Sequence, residues 1–315
     1  MLRFVSIRLL SIVATLFAAS FLIFAISQLL PGDVAQMVLG QNATPEALAQ
    51  LRLKMGLDQP WLARYLAWLG GVLRGDLGES LMAPGVMVSQ QLALNARASL
   101  VLAGAATVFV IPLALLFGCL AGLNQDNHID RLISIMSIFA ISLPEFVSAT
   151  FLIIIFSLKL GLFPSASLID TSASIIGQFR SLVLPVFTLS LVLSGYVARM
   201  TRASVIETNG QPYIRAAVLK GLSRRRVIVS HVLRNALLPT VTVIAMNIGW
   251  LVGGLVVVET VFSYPGLGSL LMTGIIQRDV PLIQGAALVI VAGYMVFNLL
   301  ADIIYRLLNP RLRGG

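Results

Sequence analysis

The chain has 315 residues, 58% of them hydrophobic and 11% charged, with a net charge of +9. Water-soluble domains carry about 25% charged residues, so this composition, with a mean hydropathy of +0.94, excludes an ordinary soluble globular protein. The basic residues sit at the borders of apolar runs, which speaks for membrane topology and against nucleic-acid binding. In lipid only helical bundles and closed barrels satisfy their backbone. Barrel strands alternate apolar and polar over about ten residues, whereas the apolar runs here are continuous over roughly 20 residues or more. The expected class is an all-α membrane protein.

Residues 1–30 read as a first transmembrane helix. Arg3 and Arg8 precede an apolar run at 9–30, longer than the ~7–15-residue core of a signal peptide. Residues 31–97 read as an external segment. Within it Thr44-Pro45-Glu46 is a helix start: a capping hydroxyl, proline at the first position and an acid at the positive dipole end. Trp61, Leu62, Tyr65, Leu66, Leu69, Val72 and Leu73 recur at helical spacing, as in an amphipathic interfacial helix, and Gly75-Asp76-Leu77-Gly78 breaks it.

Residues 98–307 read as a five-helix core with spans at 98–123, 132–158, 182–200, 236–258 and 282–305, and 308–315 as a tail. Six spans put both termini on one side. Of 22 basic residues, 14 fall on the side of the termini, which the positive-inside rule makes the cytoplasm. Pro112, Pro144 and Pro185 interrupt spans two, three and four, where proline bends a helix. Glu145 follows Pro144 near the middle of the third span, where a charge costs roughly 2.5–3.5 kcal/mol. It reads either as a pathway residue or as an acid bonded to backbone freed by Pro144. Ser194, Asn247 and Gln284 are further polar residues that line a pathway or bridge helices. Cys119, the single cysteine, reads as a small buried hydrophobe. His128 and His231 lack any metal-ligand context.

The loop at 202–235 is the most basic part of the chain. Pro212 suits a first helical position. Ile214, Ala217, Val218 and Leu222 form an apolar side, Gly221 a left-handed stop, and Ser223 an N-cap for a second helix ending before Pro239. The expectation is helix, glycine turn, helix: a docking device rather than a lipid-touching basic patch. The lysines Lys54, Lys159 and Lys220 are followed by Met55, Leu160 and Gly221, so no P-loop exists and a motor must be another chain.

The segment Tyr213–Arg226 resembles the EAA loop of ATP-binding-cassette importer permeases of the dipeptide, oligopeptide and nickel type. So do Leu30-Pro31-Gly32-Asp33, Gly56-Leu57-Asp58-Gln59-Pro60, Tyr65 with Trp68, and Gly75-Asp76-Leu77-Gly78. Arg199-Met200-Thr201-Arg202, the run from Arg234 to Pro239 and the run from Glu259 to Gly268 complete the likeness, which spans nearly the whole chain. Pro212 stands where the family commonly has an acidic or polar residue, and Val218 where it has a basic one.

The resemblance implies the type I importer permease fold in a bacterial or archaeal cytoplasmic membrane. It implies a homologous permease partner, two ATP-binding-cassette ATPase subunits that use ATP and Mg, and an external solute-binding protein. No cofactor and no catalysis would belong to this chain. It also implies that Ala216, Ala217 and Gly221 allow close approach of an ATPase groove. Arg215, Lys220 and Arg224 would face acids at its rim, beside Tyr213 and Ser223. The cargo stays open among peptides, glutathione, nickel and sugars. A self-sufficient secondary transporter or channel, with Glu145 as a proton or ion site, is the rival expectation.

Overall fold

A computed structural model describes residues 2–28, 36, 39, 43–54, 56, 58–168 and 175–308. Side chains at 2–5, 51, 54, 175, 238, 242, 245–252, 305, 307 and 308 stand outside that set, as do the motif at 30–33 and the tail at 309–315. The helices in chain order are α1 Leu2–Gln28, α2 Pro45–Lys54, α3 Trp61–Leu73, α4 Val88–Leu123, α5 His128–Ser142 and α6 Glu145–Leu152, which a π-helical stretch Ile153–Lys159 prolongs. They continue with α7 Ile175–Asn209, α8 Pro212–Leu219, α9 Arg224–Arg226, a second π-helical stretch Val227–Leu233, α10 Arg234–Val261, α11 Leu267–Gln277 and α12 Val280–Leu308. Among the described residues the extended structure amounts to one bridge, Glu79 to Met87.

Among the described residues four helices, α1, α4, α7 and α12, are long and apolar enough to cross a membrane, or five with the bent pair α5–α6. The predicted span at 236–258 falls in α10, whose 28 residues run roughly 42 Å at 1.5 Å per residue. One expectation changes. The third span is not a continuous helix: α5 and α6 meet at 108°. The residue before a proline is pushed out of the α region, and Leu143 is extended at φ −85°, ψ 125°. Pro144, at ψ 144°, then starts a new helix instead of bending an old one.

The chain divides into two compact units, residues 1–98 with 266–293, and residues 99–265 with 294–315. In the first unit, α1 carries Phe17, Phe21 and Phe24 on one face. Phe21 and Phe24 meet the Tyr65 ring of α3 at 5.5 Å, with Trp61 and Trp68 alongside. The Tyr65 hydroxyl shares a 3.0 Å hydrogen bond with Ser20, so the one buried residue of α3 keeps its polar tip satisfied. The predicted start at Thr44 holds, the Ala47 amide donating to its Oγ1 at 3.3 Å. Val88, Leu92, Leu282 and Ala286 form this unit's core. Beside it Asp279 is fully buried and accepts from the Ser80 hydroxyl at 2.5 Å and the Leu282 amide at 3.2 Å. Gln284 is a bridge, its amide donating to Ser27 Oγ at 2.6 Å.

In the second unit α7 is the central helix. Val110 and Ala114 of α4 pack on Leu193 and Val197 of α7 and Ile244 of α10. At the α5–α7 contact Asp130 is buried while the Arg202 side chain is 30% exposed, and the guanidinium forks onto the carboxylate at 2.5 Å and 2.7 Å. The Asp126 amide and Ser134 hydroxyl also donate to it, so the carboxylate is fully engaged. We expect Asp130→Ala to cost about 1–3 kcal/mol, the partial exposure of Arg202 lowering the penalty usual for a lone buried charge. Arg202→Ala added to it should restore part of that loss in a thermal melt, because no orphaned charge remains. A strictly additive double variant would show that the pair is not coupled.

Candidate functional site

The loop at 202–235 folds as helix, turn, helix. Gln211 is extended at ψ 144° and Pro212 opens α8 with its fixed φ, as expected for a proline without an N–H to lose. Eight residues are too few for a helix to persist alone in water. Ile214 and Ala217 hold it by packing with Val205, Val227, Val232 and Ala236, with Leu222 at the edge. At ~0.8 kcal/mol per buried methylene-sized group, the five side-chain carbons of Ile214 and Ala217 together contribute roughly 4 kcal/mol.

The turn is built as the sequence predicts. Gly221 has φ +79° with open space beyond it, a conformation costing other residues roughly 1–2 kcal/mol. Its amide donates to the Val218 carbonyl at 2.9 Å. Two details differ from expectation. Ser223 has N-cap backbone geometry, but its side chain makes no cap bond. The second helix does not stop before Pro239: α9, the π stretch and α10 run on without interruption from 224 to 261, with Pro239 inside. Local π adjustments are one way membrane helices re-satisfy the groups a proline frees, and the π stretch here ends at Leu233, within two turns of Pro239.

The candidate residues divide by orientation. Tyr213, Arg215, Ala216, Lys220, Gly221, Ser223 and Arg224 are exposed, whereas Ala217 is buried beneath them. Ala217 therefore belongs to the seat of α8 and not to its outer face. Val218, expected on the apolar side, is 58% exposed, and Leu219 is 87% exposed. Leu219 is a residue the periodicity did not single out. Its position, five residues after Ile214, turns it nearly opposite the buried face at 100° per residue. Tyr213 is held in place, its hydroxyl accepting from Asn235 Nδ2 at 3.1 Å.

Deeper in the same unit, Glu145 is the first residue of α6, half-buried, beside Gly254 of α10. A Cβ at position 254 would stand 2.8 Å from Glu145 Oε1, so a side chain there would make the carboxylate swing aside. An acid in the first turn is favoured by the helix dipole. Ser194 lines a largely apolar cavity of about 400 Å³ between α4, α5 and α7, walled by Phe109, Phe117, Met136 and Phe187. Its hydroxyl donates to the Leu191 carbonyl at 2.8 Å. The side chain of Asn247 lies outside the described residues. Glu259 is fully buried and accepts from Ser99 at 2.5 Å. Burial, and then the Glu259 charge, push the neighbouring Tyr264 phenol up to about 12, so it stays neutral and able to donate.

Residues 114–314 match the family described as binding-protein-dependent transport system inner membrane component, and residues 1–89 match the N-terminal region of such components. A Brucella abortus protein named as a peptide transport system permease is 37% identical over 306 residues, 97% of each chain. A Brucella suis peptide permease is 37% identical over 317 residues, 99% of each chain. The glutathione transport system permease of Shigella flexneri is 33% identical over 313 residues, 99% of each chain. With both matched regions lying on the helices described above, the chain belongs to the family of binding-protein-dependent transport system inner membrane components.

Proposed function

We propose that this chain is the membrane permease subunit of an ATP-driven peptide importer of the bacterial inner membrane. The observation that carries the reading is α8, a short helix seated by Ile214 and Ala217 with an apolar and basic face turned outward. A chain without a P-loop that displays such a helix is built to be driven by contact. Relatives named for peptide transport favour peptides as cargo, with glutathione, itself a small peptide, within the same chemistry.

In this reading the chain crosses the membrane six times with both termini in the cytoplasm and pairs with a homologous permease. Two ATPase subunits bind ATP and Mg and close on the loops at 202–235, and an external binding protein delivers the solute. The rocking of the paired bundles opens the pathway to alternate sides, with no covalent chemistry or cofactor in this chain. Glu145 meets the ammonium group of the peptide at the break between α5 and α6. Replacement by glutamine removes that charge while keeping the shape, so peptide uptake should fall about tenfold, the worth of roughly 1.4 kcal/mol. Stability should change by under about 1 kcal/mol. Unaltered uptake and cargo preference would end the pathway role.

The decisive experiment reconstitutes the chain in vesicles with and without its ATPase and permease companions. Peptide accumulation should require ATP and the companions. Accumulation by the chain alone under a proton gradient would instead establish a secondary transporter.

A further inference from the structure

A basic recess lies at the foot of α10. Arg226, Ser230, His231, Arg234 and Asn235 line a space of about 700 Å³. The three positions 226, 230 and 234 follow one another at four-residue steps through the π stretch, so their side chains share a face. No acid lines the recess. Among the described residues Arg226, His231 and Arg234 have no ion-pair partner, whereas Arg202 has Asp130. The wall is not loose: Asn235 Nδ2 donates both to the His231 carbonyl at 2.9 Å and to the Tyr213 hydroxyl at 3.1 Å.

Two guanidinium forks with a hydroxyl and an imidazole between them match the oxygens of a phosphate diester. Height in the membrane narrows the source. Arg234 and Asn235 immediately precede the apolar run at 236–258, which sets them at the level of lipid headgroups. Arg226 and Arg234 are as exposed as the neighbouring Arg224 and Arg225, but they line the recess and those two do not.

We infer that the recess binds the phosphate of an anionic phospholipid headgroup, and that the bound lipid braces α8 through the Asn235–Tyr213 hydrogen bond. The inference rests on the span at 236–258 and not on the motor role of α8, so its failure leaves that role standing. The test uses the full chain in phosphatidylcholine nanodiscs carrying a minor fraction of phosphatidylglycerol, with retained lipid counted by native mass spectrometry. A guanidinium that contacts the headgroup is worth about a factor of five. The Arg226→Gln/Arg234→Gln pair should therefore weaken phosphatidylglycerol binding roughly 20–30-fold, and Arg224→Gln/Arg225→Gln, with the same charge removed but outside the recess, under about twofold. Melting in phosphatidylcholine alone checks folding. Should the glutamine pair fail that check, Arg226→Lys/Arg234→Lys is read instead, with about a fivefold loss expected from the missing forks. Equal losses in both pairs would overturn the recess in favour of a diffuse basic surface, and undiminished binding in the recess pair would overturn it outright. Millimolar inorganic phosphate that displaces phosphatidylglycerol from the wild type, and fails to bind the recess pair, would overturn the lipid assignment for a free phosphate.

Discussion

Gly118→Leu should be among the most destabilising single substitutions in the second unit. A Cβ there would lie 2.4 Å from Thr201 Cβ and 2.6 Å from the Ala198 carbonyl oxygen. Thr201 is fully buried, and a backbone carbonyl cannot rotate away within a helix, so α4 and α7 would have to part. One turn on, Gly122 stands against Val205 in the same way, a Cβ meeting its Cβ at 2.7 Å. Small residues four apart are how membrane helices bring backbones into contact, since lipid offers no hydrophobic drive for association. Overpacking of this kind costs about 1–3 kcal/mol and sometimes more, and leucine here belongs at the upper end. The purified chain should melt roughly 6–10 °C lower. Gly104 supplies the control, being on the same helix with nothing within 4 Å of where its Cβ would stand. Gly104→Leu should melt near the wild type, and a Gly118→Leu protein that melts alongside it would remove the close contact from the account.

The sequence carried local structure well wherever a local rule decided it. Thr44, Pro212 and Gly221 announce caps and a turn through their own backbone preferences, and the structure follows them. Apolar length announced α1, α4, α7 and α12. What stayed hidden depends on pairs distant in the chain. Asp130 and Arg202 are 72 positions apart, and neither looks unusual alone. The spacing of Gly118 and Gly122 was visible, but without Thr201 and Val205 opposite it has no energetic meaning. Pro144 signals a break, yet neither the 108° angle nor the approach of Glu145 to Gly254 can be read from it. Val218 reads as apolar-side because a four-residue step from Ile214 suggests burial. Instead Gly221 ends the helix and brings Leu222 back to the core, leaving Val218 at the rim. At the candidate site, then, the turn was legible and the division of α8 into a seat and an outer face was not.

Leu219→Asp should abolish most ATP-driven uptake while leaving the chain as stable as before. Single exposed apolar residues are ordinary on protein surfaces, but a helix of eight residues here leaves three large ones exposed, Leu219 at 87%, Val218 at 58% and Tyr213 at 44%. If α8 seats in an ATPase groove, burying one leucine there is worth about 1.5–3 kcal/mol, a factor of roughly 10–150 in affinity. Aspartate forfeits that gain and brings a carboxylate toward the acids that would face Arg215, Lys220 and Arg224. Uptake should fall at least about tenfold, together with co-purification of the ATPase. The melting temperature should hold, because the outer face of α8 takes no part in the cluster that seats it. Ile214→Asp is the contrasting variant: it buries a charge in that cluster and should lower the melting temperature. Gly221→Trp tests the turn by another route. The space beyond Gly221 is open, so the cost lies in φ +79° alone, and a tilted α8 should let the ATPase hydrolyse ATP without driving transport. Full uptake by Leu219→Asp would mean that the motor engages this chain somewhere other than α8.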